Sequence, residues 1–161
     1  MIHVVTGHIC SGKTTHVRQH AGPDDLVVDL DRLALALAAD GTPEYGYTRE
    51  VLEVARGVRW FAIDEAVRLH KRGRIPNVWI VHAYPTDDDL ARYRRLGAGL
   101  REQTCEARVL LARARAERPP AAVAELERRL RGQPIKAATT TGVGSATTPA
   151  SDGRQIGRAH V

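Results

Sequence analysis

The segment from Ile2 to Thr15 constrains the fold more than any other part of the chain. Ile2-His3-Val4-Val5-Thr6 is a short run of mostly apolar, strand-forming residues. It leads directly into Gly7-His8-Ile9-Cys10-Ser11-Gly12-Lys13-Thr14, and the stretch from Lys13 to His20 reads as a helix. Gly-x4-Gly-Lys-Thr between a strand and a helix is the pattern of a phosphate-binding loop (P-loop). Glycines let backbone N–H groups converge on phosphate oxygens, and the helix N-terminus adds partial positive charge. Lys13 is expected to reach the β- and γ-phosphates of a nucleoside triphosphate, and the Thr14 hydroxyl to hold Mg²⁺. Nucleotide contacts are expected from Gly7, His8, Ile9, Cys10, Ser11, Gly12, Lys13, Thr14 and Thr15. Cys10 reads as a tolerated small residue rather than a redox switch.

Downstream, Leu26 to Leu30 reads as a second strand and Arg32 to Ala39 as a short helix. Thr48 caps a long helix to Lys71, with Val51, Ala55, Val58, Ala62, Ala66 and Leu69 as its apolar face and Gly57 as its weak point. Val78 to Val81 is a third strand. Helices follow over Asp87–Leu96, Arg101–Arg118 and Ala121–Leu130. This order implies an α/β fold, a mostly parallel sheet of about four or five strands flanked by helices. A further strand is expected between Gly97 and Cys105, where Gly97-Ala98-Gly99-Leu100-Arg101-Glu102 is poor strand material. That strand is either very short or missing from a smaller sheet.

The chain has 161 residues, enough for one domain with a sizeable core, and 43% of them are hydrophobic. Its formal net charge of +5 suits an anionic ligand. Of 24 basic residues only Lys13, Lys71 and Lys136 are lysine, so most of the arginines read as solvated surface. Cys10 and Cys105 show no framework spacing, which fits a reducing, cytoplasmic compartment. No segment is long and apolar enough for a membrane span. Residues 1–132 read as the nucleotide-binding domain. Residues 133–161, rich in Ala, Thr, Gly and Ser, read as a disordered tail. Its last six residues match what a common sequencing-adapter oligonucleotide encodes in one frame, as a read-through would.

No Asn-Lys-x-Asp guanine motif is present, and the third strand ends in His82 where a motor ATPase usually carries a carboxylate. A small ATP-dependent kinase fits better. Such an enzyme needs a base near the γ-phosphate. Asp29 and Asp31 lie at the carboxyl end of the second strand, where ligands bind in such sheets; alternatively, Asp31 only caps the helix beginning at Arg32. It also needs cations over the transferring group. Arg108, Arg113, Arg115 and Arg118 lie on one late helix, Arg113 pointing away from the other three.

The order of these pieces, from Ile2 to Leu130, resembles the kinase module of phage-type polynucleotide 5′-hydroxyl kinases and, more loosely, the small P-loop kinases around it. The loop Gly7 to Thr14 carries the likeness most specifically. The resemblance implies ATP and Mg²⁺ as cofactors, Lys13 and Asp31 as catalytic residues with Asp31 as general base, and Arg113 as the lid arginine on the transferring phosphate. It implies a nucleic acid 5′ end as acceptor. Glu44-Tyr45-Gly46-Tyr47-Thr48 and Pro119-Pro120 also fit. Three positions depart from the pattern: the arginine expected three residues after the base is Ala34, with Arg32 as a substitute; the aspartate ending the third strand is His82; and the strand before the lid is barely present. A small-molecule kinase and a nucleotide-binding protein without transfer are the other readings.

Among weaker signals, His16 and His20 read as surface histidines rather than metal ligands. Asp87-Asp88-Asp89 reads as a charged helix start. Trp60, Phe61 and Trp79 read as core rather than as base-stacking residues.

Overall fold

The computed structural model describes residues 1–132; the expected tail lies outside the described residues. Ten elements follow in chain order: β1 Ile2–Thr6, α1 Lys13–His20, β2 Leu26–Asp29, α2 Leu30–Leu37, α3 Arg49–Lys71, β3 Val78–His82, α4 Asp87–Arg95, β4 Gly99–Glu102, α5 Ala107–Glu117 and α6 Pro120–Gly132. The four strands form one all-parallel sheet in the order β2-β3-β1-β4. Parallel neighbours need crossovers, which the helices supply.

Alternation along the strands fills both faces. Val4, Val28, Val78 and Ile80 pack with Ile63, Ala66 and Val67 of α3 and Tyr93 of α4. On the other face Val5, Trp79 and Val81 meet Val17 of α1. Each such fully buried aliphatic side chain contributes about 1.5–3 kcal/mol. A third cluster, Leu110, Ala114 and Leu126, joins α5 to α6 and packs against Ile9 and Cys10. The last two helices thus rest on the glycine-rich loop itself.

Thr48 caps α3, its hydroxyl accepting from the Val51 N–H, and Gly57 leaves the helix unbroken. The Asp87-Asp88-Asp89 triplet forms the first turn of α4, where Thr86 and Asp89 make a reciprocal capping box.

The further strand expected between Gly97 and Cys105 is present and very short: β4 is four exposed residues pairing with β1 alone. Other expectations need correcting. The helix expected from Arg101 therefore begins at Ala107, since pairing with β1 outweighs the helix propensity of Arg101 and Glu102. α2 begins at Leu30, not Arg32, and its cap is Asp29 rather than Asp31. The buried stripe of α3 is Ala55, Arg59, Ile63, Ala66 and Val67, and Val58 is exposed. Phe61 is 74% exposed, while its neighbour Trp60 packs against the core. Consecutive helical residues point about 100° apart, so the two rings cannot share one face. Trp79 is buried as expected.

Candidate functional site

The loop between β1 and α1 is held in a conformation that few residues tolerate. Gly7, Cys10 and Gly12 have φ of 128°, 59° and 93°. At Gly7 an added Cβ would lie 2.2 Å from the Gln103 carbonyl oxygen, so only glycine fits. Gln103 in turn donates its N–H to the Thr6 carbonyl at 2.8 Å, which ties the chain after β4 to the start of the loop. The first-turn N–H groups of α1 have no intrahelical partner. The Ser11 hydroxyl is buried without a hydrogen-bond partner. The loop thus brings these donors to the carboxyl end of β1, an inner strand of the sheet.

Lys13 is 8% exposed, and its Nζ donates to the carbonyls of Gly7, at 2.9 Å, and of His8. Burial, then repulsion by Arg118, pushes its ammonium down to about 8. The Thr14 hydroxyl donates to Asp29 Oδ2 at 3.3 Å. Asp29 is buried at the end of β2 and accepts the Asp31 N–H at 3.0 Å as the cap of α2. Burial, then the neighbouring Asp31, raises its carboxyl above the ordinary range.

Asp31 sits in the first turn of α2 with both oxygens engaged. The Tyr47 hydroxyl donates to Oδ1 at 2.6 Å, and Arg118 Nη1 to Oδ2 at 3.0 Å. The Arg118 guanidinium also stacks on the Tyr45 ring, 3.6 Å from its centroid. Charge on Arg118, Asp29 and Asp31 acts on Lys13, so these four groups form one electrostatic cluster at the loop.

The remaining expected cations are placed differently. Arg113 is exposed and donates to the Cys10 carbonyl at 3.3 Å. Arg108 and Arg115 pair with Glu106 and Glu127. Of the late arginines, Arg118 is the one that meets Asp31. It lies just past the end of α5, as its C-cap, where helical spacing no longer applies. Ala34 is fully buried, while Arg32 lines a cavity of about 400 Å³ with Thr14, Arg18 and Asp29.

At the end of β3, His82 is surrounded by polar groups. Arg59 Nη2 lies 3.0 and 3.1 Å from its two ring nitrogens, and Nδ1 lies 2.9 Å from the Tyr93 hydroxyl. Asp89 is 3.9 Å from Nε2. Burial, then Arg59, pushes the imidazole down to about 4, so it is neutral near pH 7.

Arg59 and the role of Arg118 escaped the sequence reading, and Tyr45 and Tyr47 entered it only within the segment from Glu44 to Thr48, with no role of their own. A buried arginine on an apolar stripe leaves no periodic signal, and the two tyrosines gain meaning only from Asp31. The His16 and His20 rings on α1 lie 4.0 Å apart, tilted by 36°. Among the described residues no group of three or more His, Cys, Asp or Glu could hold a metal ion, and no helix is long and apolar enough to cross a membrane. No protein-family model matches the chain, and comparison with curated proteins finds no match.

Proposed function

We propose that the chain is a P-loop kinase that transfers the γ-phosphate of ATP to a hydroxyl acceptor, with a polynucleotide 5′ end as the first choice of acceptor. The observation that carries this reading is the cluster at the loop: buried Lys13, the Thr14–Asp29 pair, and Asp31 bridged to Arg118. A nucleotide-binding turn alone needs no carboxylate and arginine facing each other beside it.

The residues fit both expected ligands. Phosphates suit the loop N–H groups, the unpartnered Ser11 hydroxyl and Lys13. The Thr14 hydroxyl and Asp29 carboxylate are hard oxygen donors 3.3 Å apart, a pairing that suits Mg²⁺ completed by phosphate and water oxygens. When bound, Mg²⁺ neutralises charge on the phosphates. Lys13 leaves the Gly7 and His8 carbonyls for the β- and γ-phosphates. Arg118 leaves Asp31 for the transferring group, and the freed Asp31 oxygen accepts the proton of the acceptor hydroxyl while Tyr47 holds the other oxygen.

The test is transfer of radiolabelled γ-phosphate to 5′-hydroxyl DNA and RNA beside a panel of nucleosides and sugars, with Lys13→Ala as the blank. Transfer only to a small molecule rejects the polynucleotide and keeps the kinase. Tight ATP binding without transfer to anything rejects the kinase and leaves a nucleotide-binding protein.

A further inference from the structure

We propose that Arg59 and His82 form a receptor for an oxyanion, a phosphate or carboxylate group, at the carboxyl end of β3; the inference rests on the kinase reading for the source of that anion and adds a second anionic group to be held beside the loop.

Arg59 occupies a place where helical periodicity would put an aliphatic side chain. It belongs to the inward stripe of α3, between Ala55 and Ile63, and is 5% exposed. Buried charges are ordinarily paired with opposite charge. Among the described residues no carboxylate forms an ion pair with Arg59. Its partner is instead His82, an acceptor that is neutral near pH 7 and so cannot compensate the guanidinium. Asp89, 3.9 Å from the Nε2 of the same imidazole, acts on both groups through its field without forming an ion pair with Arg59. The Tyr93 hydroxyl lies 2.9 Å from His82 Nδ1 and is also hydrogen-bonded by Arg59, a neutral partner that adds no counter-charge. The Arg59 Nε–H is buried with no acceptor at all.

A guanidinium with an unused N–H and no ion-paired carboxylate is a binding fork for carboxylate or phosphate. Its location agrees. His82 is paired in register with Thr6, the residue immediately before the glycine-rich loop, so Arg59 lies at the sheet edge that carries the candidate site. The charge of Lys13 reaches His82. Two sources could supply the oxyanion. One is the terminal phosphate of the nucleotide; the other is an anionic group on the acceptor, such as the 3′ phosphodiester of a 5′-hydroxyl nucleotide.

The experiment is a titration of the full chain, saturated with ADP, with inorganic phosphate, reading the His82 imidazole resonances by NMR after assignment with His82→Gln. A saturable shift of His82 in the wild type is expected, with Arg59→Gln weakening it at least tenfold and Arg59→Lys recovering part of it. Replacing ADP by a non-hydrolysable ATP analogue separates the sources. If the analogue abolishes the phosphate response, the receptor serves the nucleotide's terminal phosphate. If the response persists, it serves the acceptor. Thermal melts establish that the variants fold; should Arg59→Gln not fold, the wild type and Arg59→Lys decide alone. A wild-type His82 that phosphate does not move, or moves equally in Arg59→Gln, overturns the proposal. Failure of ADP to bind refutes the nucleotide reading instead, and the same phosphate titration without ADP still tests Arg59.

Discussion

Arg118 and Asp31 form an ion pair 3.0 Å long that joins the corner between α5 and α6 to the first turn of α2, close enough to the glycine-rich loop for both charges to act on Lys13. The Tyr45 ring beneath the guanidinium and the Tyr47 hydroxyl on the other carboxylate oxygen fix both members. No comparable link ties Arg113 to a carboxylate among the described residues; it reaches the Cys10 carbonyl from the surface.

The two arginines therefore separate in a transfer assay. Arg118→Gln is expected to lower turnover by about 10²–10³, the usual effect of removing one donor aimed at developing charge. Arg113→Gln should change it by less than about tenfold, the loss of one exposed contact to a carbonyl. Equal effects on kcat would reject the assignment of Arg118.

Asp31→Asn keeps the side chain's shape and leaves the Asp29 cap of α2 untouched. Turnover should fall by about 10²–10⁴, the typical contribution of a general base, while ATP affinity and melting temperature hold. Near-normal turnover in this variant would remove Asp31 from the chemistry.

Lys13→Ala should weaken ATP-Mg²⁺ binding by roughly tenfold to a hundredfold, since hydrogen bonds to charged groups contribute ~1.5–3 kcal/mol. The pH dependence follows from the depressed ammonium. In the nucleotide-free protein Lys13 loses its proton as pH rises through about 8, and a polyanion needs the charged form. Affinity for ATP, measured by titration calorimetry, should decline above that pH, and Lys13→Arg should flatten the decline.

His82 provides a test of stability rather than of activity. Its folded value of about 4 lies below the ordinary 6.5, so between these values the unfolded chain binds more protons than the folded one. Stability should therefore fall as pH drops from 6.5 towards 4, by on the order of 2 kcal/mol. In His82→Gln this part of the acid sensitivity should disappear from denaturant melts.

Gly7→Ala should prevent the loop from closing, because the new methyl would meet the Gln103 carbonyl at 2.2 Å in a backbone conformation already at φ 128°. Loss of both nucleotide binding and several degrees of melting temperature is expected. A wild-type melting curve would show that Gln103 moves aside at no cost.

How legible each feature was in the sequence follows the range of the interactions that make it. The strand, loop and first helix from Ile2 to His20 are specified by neighbours in sequence, and they appear as read. Leu100 and Arg101 carry no strand pattern. They become β4 because Val4 and Val5 lie beside them, a pairing that no local window contains. The inward face of α3 holds at Ala55 and Ala66, but between them Arg59 and Ile63 rather than Val58 turn to the core. Arg118 was legible as a residue but not as a partner of Asp31, since it stands where α5 has ended and the chain direction changes. Asp29 and Asp31 both stand out in the sequence, but which of them caps α2 depends on where that helix begins.

The position of β1 has a consequence for how the molecule forms. It is the first of the described strands in chain order and an inner strand of the sheet, with Ile2 paired to Val78 and His3 to Gly99. During synthesis it must wait for both neighbours, so nearly the whole described chain has to leave the ribosome before the sheet can close. Such non-local parallel pairing is slow and leaves apolar segments uncovered meanwhile. The Gln103 contact that closes over the glycine-rich loop is supplied only after β4 has been made, about ninety residues later in the chain than the loop it holds.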